Sequence, residues 1–126
     1  MTIRLLSAAA LLAAAATPAA AQNADADAGK RAFLQCRACH TVDAGGRNLA
    51  GPNLHGMFGA KMGSKPGFTY STALKNAGFA WTEERLDKWL ADPRGALPGN
   101  RMLFLGVKDP KVRRLLIAYL KKETAK

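Results

Sequence analysis

Cys36-Arg37-Ala38-Cys39-His40 uses both cysteines of the chain and one of its two histidines. Cys-x-x-Cys-His is the attachment signature of a c-type haem. On a helical turn the positions i, i+3 and i+4 share one face. Cys36 and Cys39 can therefore both reach the vinyl groups of one porphyrin while His40 turns beneath the ring toward the iron. Two other readings compete. A redox-active Cys-x-x-Cys calls for the strand-then-helix setting of a thioredoxin-like site, which the neighbouring sequence does not offer. A zinc site needs a fourth ligand, and only the isolated His55 remains to supply one. Haem attachment is the reading the spacing favours.

Upstream of this stretch, the N-terminus has the form of a secretory leader. Arg4 provides a short positive region, Leu5 to Ala16 is an apolar run broken by Ser7, and Ala19-Ala20-Ala21 gives a small-residue cleavage site before Gln22. The run is too short and too weakly apolar to span a bilayer comfortably, and Thr17-Pro18 breaks it. The expected organisation is a signal peptide over residues 1–21 and one small domain over residues 22–126, in the periplasm. So short a chain has a limited core, to which a covalently held haem would add a large apolar body. In an oxidising compartment two free thiols tend to pair, and thioether bonds to haem remove that hazard.

The chain carries 19 Lys and Arg against 9 Asp and Glu, a formal net charge of +10, and only Arg4 of the cations lies in the leader. Such an excess points to an acidic partner. Export argues against nucleic acid, and no basic amphipathic helix with an aromatic face argues for stable membrane insertion. An acidic docking face on another protein fits best, with this chain a monomer.

Downstream, the coarse pattern is all-α. Gln22 to Ala28 reads as polar and loose, and Asp25 or Asp27 can cap a helix from Gly29 to about Ala38. From Thr41 to Thr69 glycines and prolines recur without sustained periodicity, but Leu49, Leu54, Met57 and Phe58 argue for a packed loop around a cofactor edge. Ser71 can cap a helix over 72–77, ended by Gly78. Thr82 can cap another, with Glu83 and Glu84 in its first turn and Pro93 as its stop. Asp109 and Pro110 open the last helix, whose Val112, Leu115, Leu116, Tyr119 and Leu120 form one apolar face. No stretch alternates convincingly as a strand.

A haem iron with one histidine ligand needs a sixth ligand or an open position, and Met with His suits electron transfer. Met57, Met62 and Met102 follow the leader, and each could equally be core filler. Met57 lies only 17 residues beyond His40, in a segment set to pack on the histidine side. Met62 sits in a glycine-rich loop. Met102 follows the rigid turn Pro98-Gly99-Asn100-Arg101 and lies far enough along the chain to return on the opposite face of the ring, so it is favoured over Met62.

Taken in order, Cys36 to His40, Gly51-Pro52-Asn53-Leu54-His55-Gly56, Pro66-Gly67-Phe68-Thr69-Tyr70, Trp81, Pro98-Gly99-Asn100-Arg101-Met102 and Ile117-Ala118-Tyr119-Leu120 resemble the class I c-type cytochromes, mitochondrial cytochrome c and its exported bacterial relatives above all. The resemblance spans nearly all of residues 22–126. It implies a helical cytochrome c fold with crossed terminal helices around one covalent haem c, and a job of shuttling single electrons. The partners so implied are membrane or periplasmic redox complexes: a cytochrome bc-type complex, a terminal oxidase, a reductase or a photosynthetic reaction centre. Carried over by position, it implies thioethers at Cys36 and Cys39, axial ligands His40 and Met102, and a Pro52 carbonyl that orients His40. It implies Tyr70 and Trp81 as donors to a haem propionate, Phe104 beside the ring, and Gly29 and Phe33 against Leu116 and Tyr119. His55 becomes structural. Ala60, Leu74, Asn48 and Trp89 depart from the mitochondrial pattern, where Arg, Asn, His and Tyr are usual. The competing class is a haem peroxidase or gas-binding sensor with a labile sixth ligand. A dihaem peroxidase needs a second motif, absent here, and cytochrome c′-type sensors carry theirs near the C-terminus.

Overall fold

The computed structural model describes residues 18–126, so the leader expected over residues 1–21 lies outside the described residues up to position 17. Five helices follow in order: α1 (Pro18–Phe33), α2 (Thr72–Lys75), α3 (Glu83–Ala91), α4 (Pro93–Ala96) and α5 (Pro110–Glu123). The only extended pairing among the described residues is an isolated antiparallel bridge between Lys61 and Ala80. The all-α reading holds, and the domain is small and helical.

The N-terminal helix differs from expectation at both ends. It begins at Pro18, so the segment 22–28 expected to be loose is helical. Ala19 to Asp27 are all exposed, and with no buried face they give no periodic signal, although alanine is the strongest helix former. The helix stops at Phe33 and not near Ala38. Beyond it the backbone tightens into successive turns, with Cys36 N–H donating to Phe33 O (2.8 Å) and both Cys39 N–H and His40 N–H donating to Cys36 O (3.0 Å each). The cysteines and histidine thus keep a helical-type turn of their own, directly after α1.

The crossing of α1 on α5 sets the body of the fold. Gly29 is buried at this crossing, and a Cβ there would lie 2.5 Å from the Leu115 carbonyl oxygen and 2.8 Å from Tyr119 Cβ. Glycine therefore sets how close the two helices come. Phe33 stacks on Tyr119 with centroids 5.4 Å apart, and Leu116 is fully buried beneath. Phe33, Leu116 and Tyr119 share one apolar cluster at this crossing, and the nearest approach to Gly29 is made by the Leu115 carbonyl and Tyr119.

The remaining helices follow local signals. Ser71 and Thr82 cap α2 and α3 through their side chains, accepting from Leu74 N–H and Arg85 N–H. Helix α2 is shorter than the expected 72–77. Pro93 ends α3 as expected but also opens α4, because Asp92 accepts from Gly95 N–H and proline fits the first helical position. The same Asp-Pro device starts α5, where Asp109 Oδ1 accepts from Lys111 N–H at 2.8 Å. Arg113 of α5 ties that helix to α3 by donating to Asp87 (2.7 Å), and holds the segment before α5 by donating to the Val107 carbonyl (2.9 Å). Apolar residues of α1, α3 and α5, with Met62 and Val107, form the core.

Replacing Gly29 with Ala should destabilise the folded protein by about 2 kcal/mol, since overpacking against a backbone atom outweighs the gain in helix propensity. A lower guanidinium midpoint at unchanged slope is the expected result. Asp109→Ala should cost about 1 kcal/mol by the same measurement, through loss of the cap.

Candidate haem site

The site grows from His40. Its Nδ1 lies 2.7 Å from the Pro52 carbonyl oxygen. A carbonyl only accepts, so Nδ1 carries the proton and Nε2 keeps a free lone pair. Burial holds the imidazole below its ordinary range, with the Pro52 bond opposing in part. The ring is then neutral near pH 7, the state a metal ligand requires. Gly51 is buried against the ring, and a Cβ there would run into His40 Cε1, Nδ1 and Nε2. Glycine before proline thus forms a cradle that lets the carbonyl and the imidazole meet.

Cys36 is half-buried and Cys39 exposed, both as free thiols. Burial, then the neighbouring Cys39, pushes the Cys36 thiol up to about 11. A redox-active Cys-x-x-Cys works through a thiolate of lowered pKa, so the environment of Cys36 is wrong for that chemistry. Among the described residues no group of three or more His, Cys, Asp or Glu side chains is gathered to hold a metal ion, against the zinc reading. Two thiols on one turn, beside a neutral imidazole with one nitrogen committed and one free, suit covalent attachment and axial ligation of a haem.

A second loop faces the cofactor question from the other end of the chain. Asn100 holds it in shape: its Nδ2 donates to the Pro93 and Leu97 carbonyls (2.8 Å each), and its Oδ1 accepts from Met102 N–H (3.0 Å). Gly99, at φ +87°, makes the turn that precedes it. From there the side chains alternate. Met102 and Phe104 are part-buried, whereas Leu103 and Leu105 are 103% and 82% exposed, and all four line one cavity with Arg94, Asn100 and Arg101. Met62 is different, buried to 2% within the core, whereas Met102 is part-buried and packs against that core from outside it. Met57 is half-buried against that core.

The other residues singled out in the sequence lie between these loops. Tyr70 OH accepts from Lys65 N–H at 3.2 Å, which leaves its own proton to donate, and burial pushes the phenol up, so it stays protonated. Trp81 packs edge-on against Trp89 at 5.5 Å, and its backbone pairs with residues 59 and 60. Ala60 belongs to that pairing, and Leu74 packs on the core. His55 Nδ1 is buried without a partner, while its carbonyl accepts from Lys65 Nζ (2.9 Å). Three asparagines escaped the sequence reading of roles: Asn48, Asn53 and Asn100. Asn53 and Asn100 sit in the quoted stretches and Asn48 three residues before one, but nothing in their spacing marks which backbone groups they bind.

Known proteins give the same answer. A family model described as Cytochrome c matches residues 26–122. The chain is similar to cytochrome c2 of Blastochloris viridis, 46% identical over 115 residues that cover 91% of this chain and 89% of that protein. It is also similar to cytochrome c of Guizotia abyssinica, 44% identical over 85% of this chain and 97% of that one. Among solved structures, cytochrome cH from Methylobacterium extorquens superposes with a TM-score of 0.72 at 45% identity, covering 78% of this chain and 98% of its own. With one Cys-x-x-Cys-His turn and matches of this extent, the chain belongs to the cytochrome c family of electron carriers, which carry one covalently attached haem c.

Proposed function

We propose that this chain is a periplasmic one-electron carrier with His40 and Met102 as axial ligands. The observation that carries the reading is the 2.7 Å contact of His40 Nδ1 with Pro52 O, which reserves Nε2 for iron. Cys36 and Cys39 hold the haem by thioether bonds, and Met102 is presented by the Asn100-clamped loop. When bound, the haem supplies an iron centre that alternates between Fe(III) and Fe(II). The protein does the rest. Pro52 orients His40 and raises its basicity. Tyr70 and Trp81 donate to a propionate whose charge would be costly to bury alone. Phe104 closes the apolar wall on the Met102 side. A fixed His/Met pair keeps other ligands from the iron and suits transfer of electrons over catalysis.

The proposed leader, residues 1–21, delivers residues 22–126 to the periplasm. No helix among the described residues is long and apolar enough to cross a membrane. Partners are redox complexes with an acidic docking face, of the bc-type, oxidase, reductase or reaction-centre kind. Arg37, Lys61, Arg94, Arg101 and Lys108 are all exposed, and residues 93–108 contain no acid. Two of these cations are held in place, Arg101 on Thr69 O (3.0 Å) and Lys108 on Ala91 O (2.7 Å). Leu103 and Leu105 are exposed and line one cavity with Arg94 and Arg101, so the docking face sets apolar side chains beside cations, a combination that steers encounter and fixes register.

Two measurements test this. The ferric protein should show a Met–iron charge-transfer band that Met102→Ala abolishes, and the ferrous protein should exclude CO at neutral pH until Met102 is removed. Native CO binding with no such band would instead favour a peroxidase or gas sensor. Electron-transfer rate to a purified acidic partner should fall steeply between low and physiological salt, and Arg101→Gln should flatten that dependence. A rate indifferent to salt would refute the docking assignment.

A further inference from the structure

We infer that Asn48 is a positioning residue for the proposed iron ligand His40, acting through the peptide that joins Pro52 to Asn53. The inference rests on the axial role proposed above for His40. That one peptide carries two anchored groups. Its carbonyl meets His40 Nδ1 at 2.7 Å, and its N–H donates to Asn48 Oδ1 at 2.8 Å. A trans peptide is a rigid plane, and the Pro52 ring fixes φ on the preceding side. The direction of the carbonyl therefore depends chiefly on a single rotation, ψ of Pro52. Asn48 opposes that rotation from one edge of the plane, and His40 feels it at the other.

Asn48 is itself held, since its Nδ2 donates to the Pro66 carbonyl at 3.1 Å. A side-chain amide suits this place because it accepts and donates at once. The neighbouring contacts secure the flanks but not the plane. Gly51 N–H donates to Cys39 O and Leu54 N–H to Thr41 O, both at 2.8 Å. The buried Asn53 side chain reaches Thr41 Oγ1 (2.7 Å), the Asp43 carbonyl (3.0 Å) and His55 N–H (3.1 Å). Besides His40 itself, only the Asn48 oxygen among the described residues grips the peptide that points its carbonyl at His40. With that grip lost, the carbonyl swings, the Nδ1–H bond lengthens, and the imidazole becomes a weaker electron donor to iron. The ferric state is then less stabilised and the reduction potential rises.

Two variants separate positioning from simple stability. Asn48→Leu removes both hydrogen bonds, whereas Asn48→Asp keeps the acceptor for Asn53 N–H and loses only the donor to Pro66. In the ferrous holoprotein, solvent exchange of the His40 Nδ1 proton, followed by NMR, should be about two- to tenfold faster in Asn48→Leu, the change expected when one ordinary hydrogen bond is lost. Asn48→Asp should exchange at nearly the native rate, although both variants lose thermal stability. The potential of Asn48→Leu should lie above that of the native protein, and if this variant does not incorporate haem, Asn48→Val takes its place. Native-like exchange and potential in the apolar variant would overturn the inference, as would equal acceleration in both variants. Failure of the underlying reading looks different. It would show in the unaltered protein as His40 ring protons without the large ring-current shifts of an axial ligand.

Discussion

The hydrogen bond from His40 Nδ1 to the Pro52 carbonyl is the constraint on which the rest of the site depends. It fixes the tautomer, turns the ring and leaves one nitrogen for a metal, all through a single contact of 2.7 Å. Such a bond can form only if the backbone comes very close to the imidazole, and Gly51 permits that approach. Proline next in line contributes a restricted φ and no donor of its own. The residues from 39 to 43 and from 51 to 55 are laced together around it. Half of the iron site is thus a feature of backbone geometry, with side chains chosen for what they do not obstruct.

The helices supply the frame that keeps this loop and the Met102 loop apart and in register. The close α1–α5 crossing at Gly29 anchors the turn that carries Cys36, Cys39 and His40, because that turn begins where α1 ends. Helix α5 is joined to α3 through Arg113 and Asp87, and α3 leads through the Asp92 cap into α4 and the Asn100 turn. Met102 therefore inherits its place from a chain of short-range caps, and His40 inherits its place from a helix crossing. The proposed carrier function calls for such a frame. An electron moves with little delay only where the ligands need not rearrange between oxidation states, and two independently braced loops meet that requirement.

Much of this was legible from the residues. Cys-x-x-Cys-His is local and chemically demanding, and Asp109-Pro110 and Thr82-Glu83-Glu84 state their helix starts outright. Resemblance to class I cytochromes extended that reading to Pro52, whose contact with His40 the structure bears out. What stayed hidden has physical causes. Residues 19–27 form helix without burying a face, and periodicity detects burial, not helix. Asp92-Pro93 reads as a stop, yet the same pair caps a new turn. The turn before Met102 favoured it over Met62 in sequence, but the depth of Met62 in the core and the cavity beside Met102 show only in the structure. The asparagine contacts join residues 2 to 18 positions apart, in loops where no repeating pattern points to a partner.

The proposed carrier function requires His40 and Met102 to hold the iron between them. Its most direct test is NMR of the ferrous holoprotein with labelled methionine methyl groups. One methyl should carry a large upfield ring-current shift, assigned to Met102 through its loss in Met102→Leu, and Met57 and Met62 should show ordinary shifts. A shifted methyl that belongs to Met62, or no strongly shifted methyl at all, would contradict this ligation.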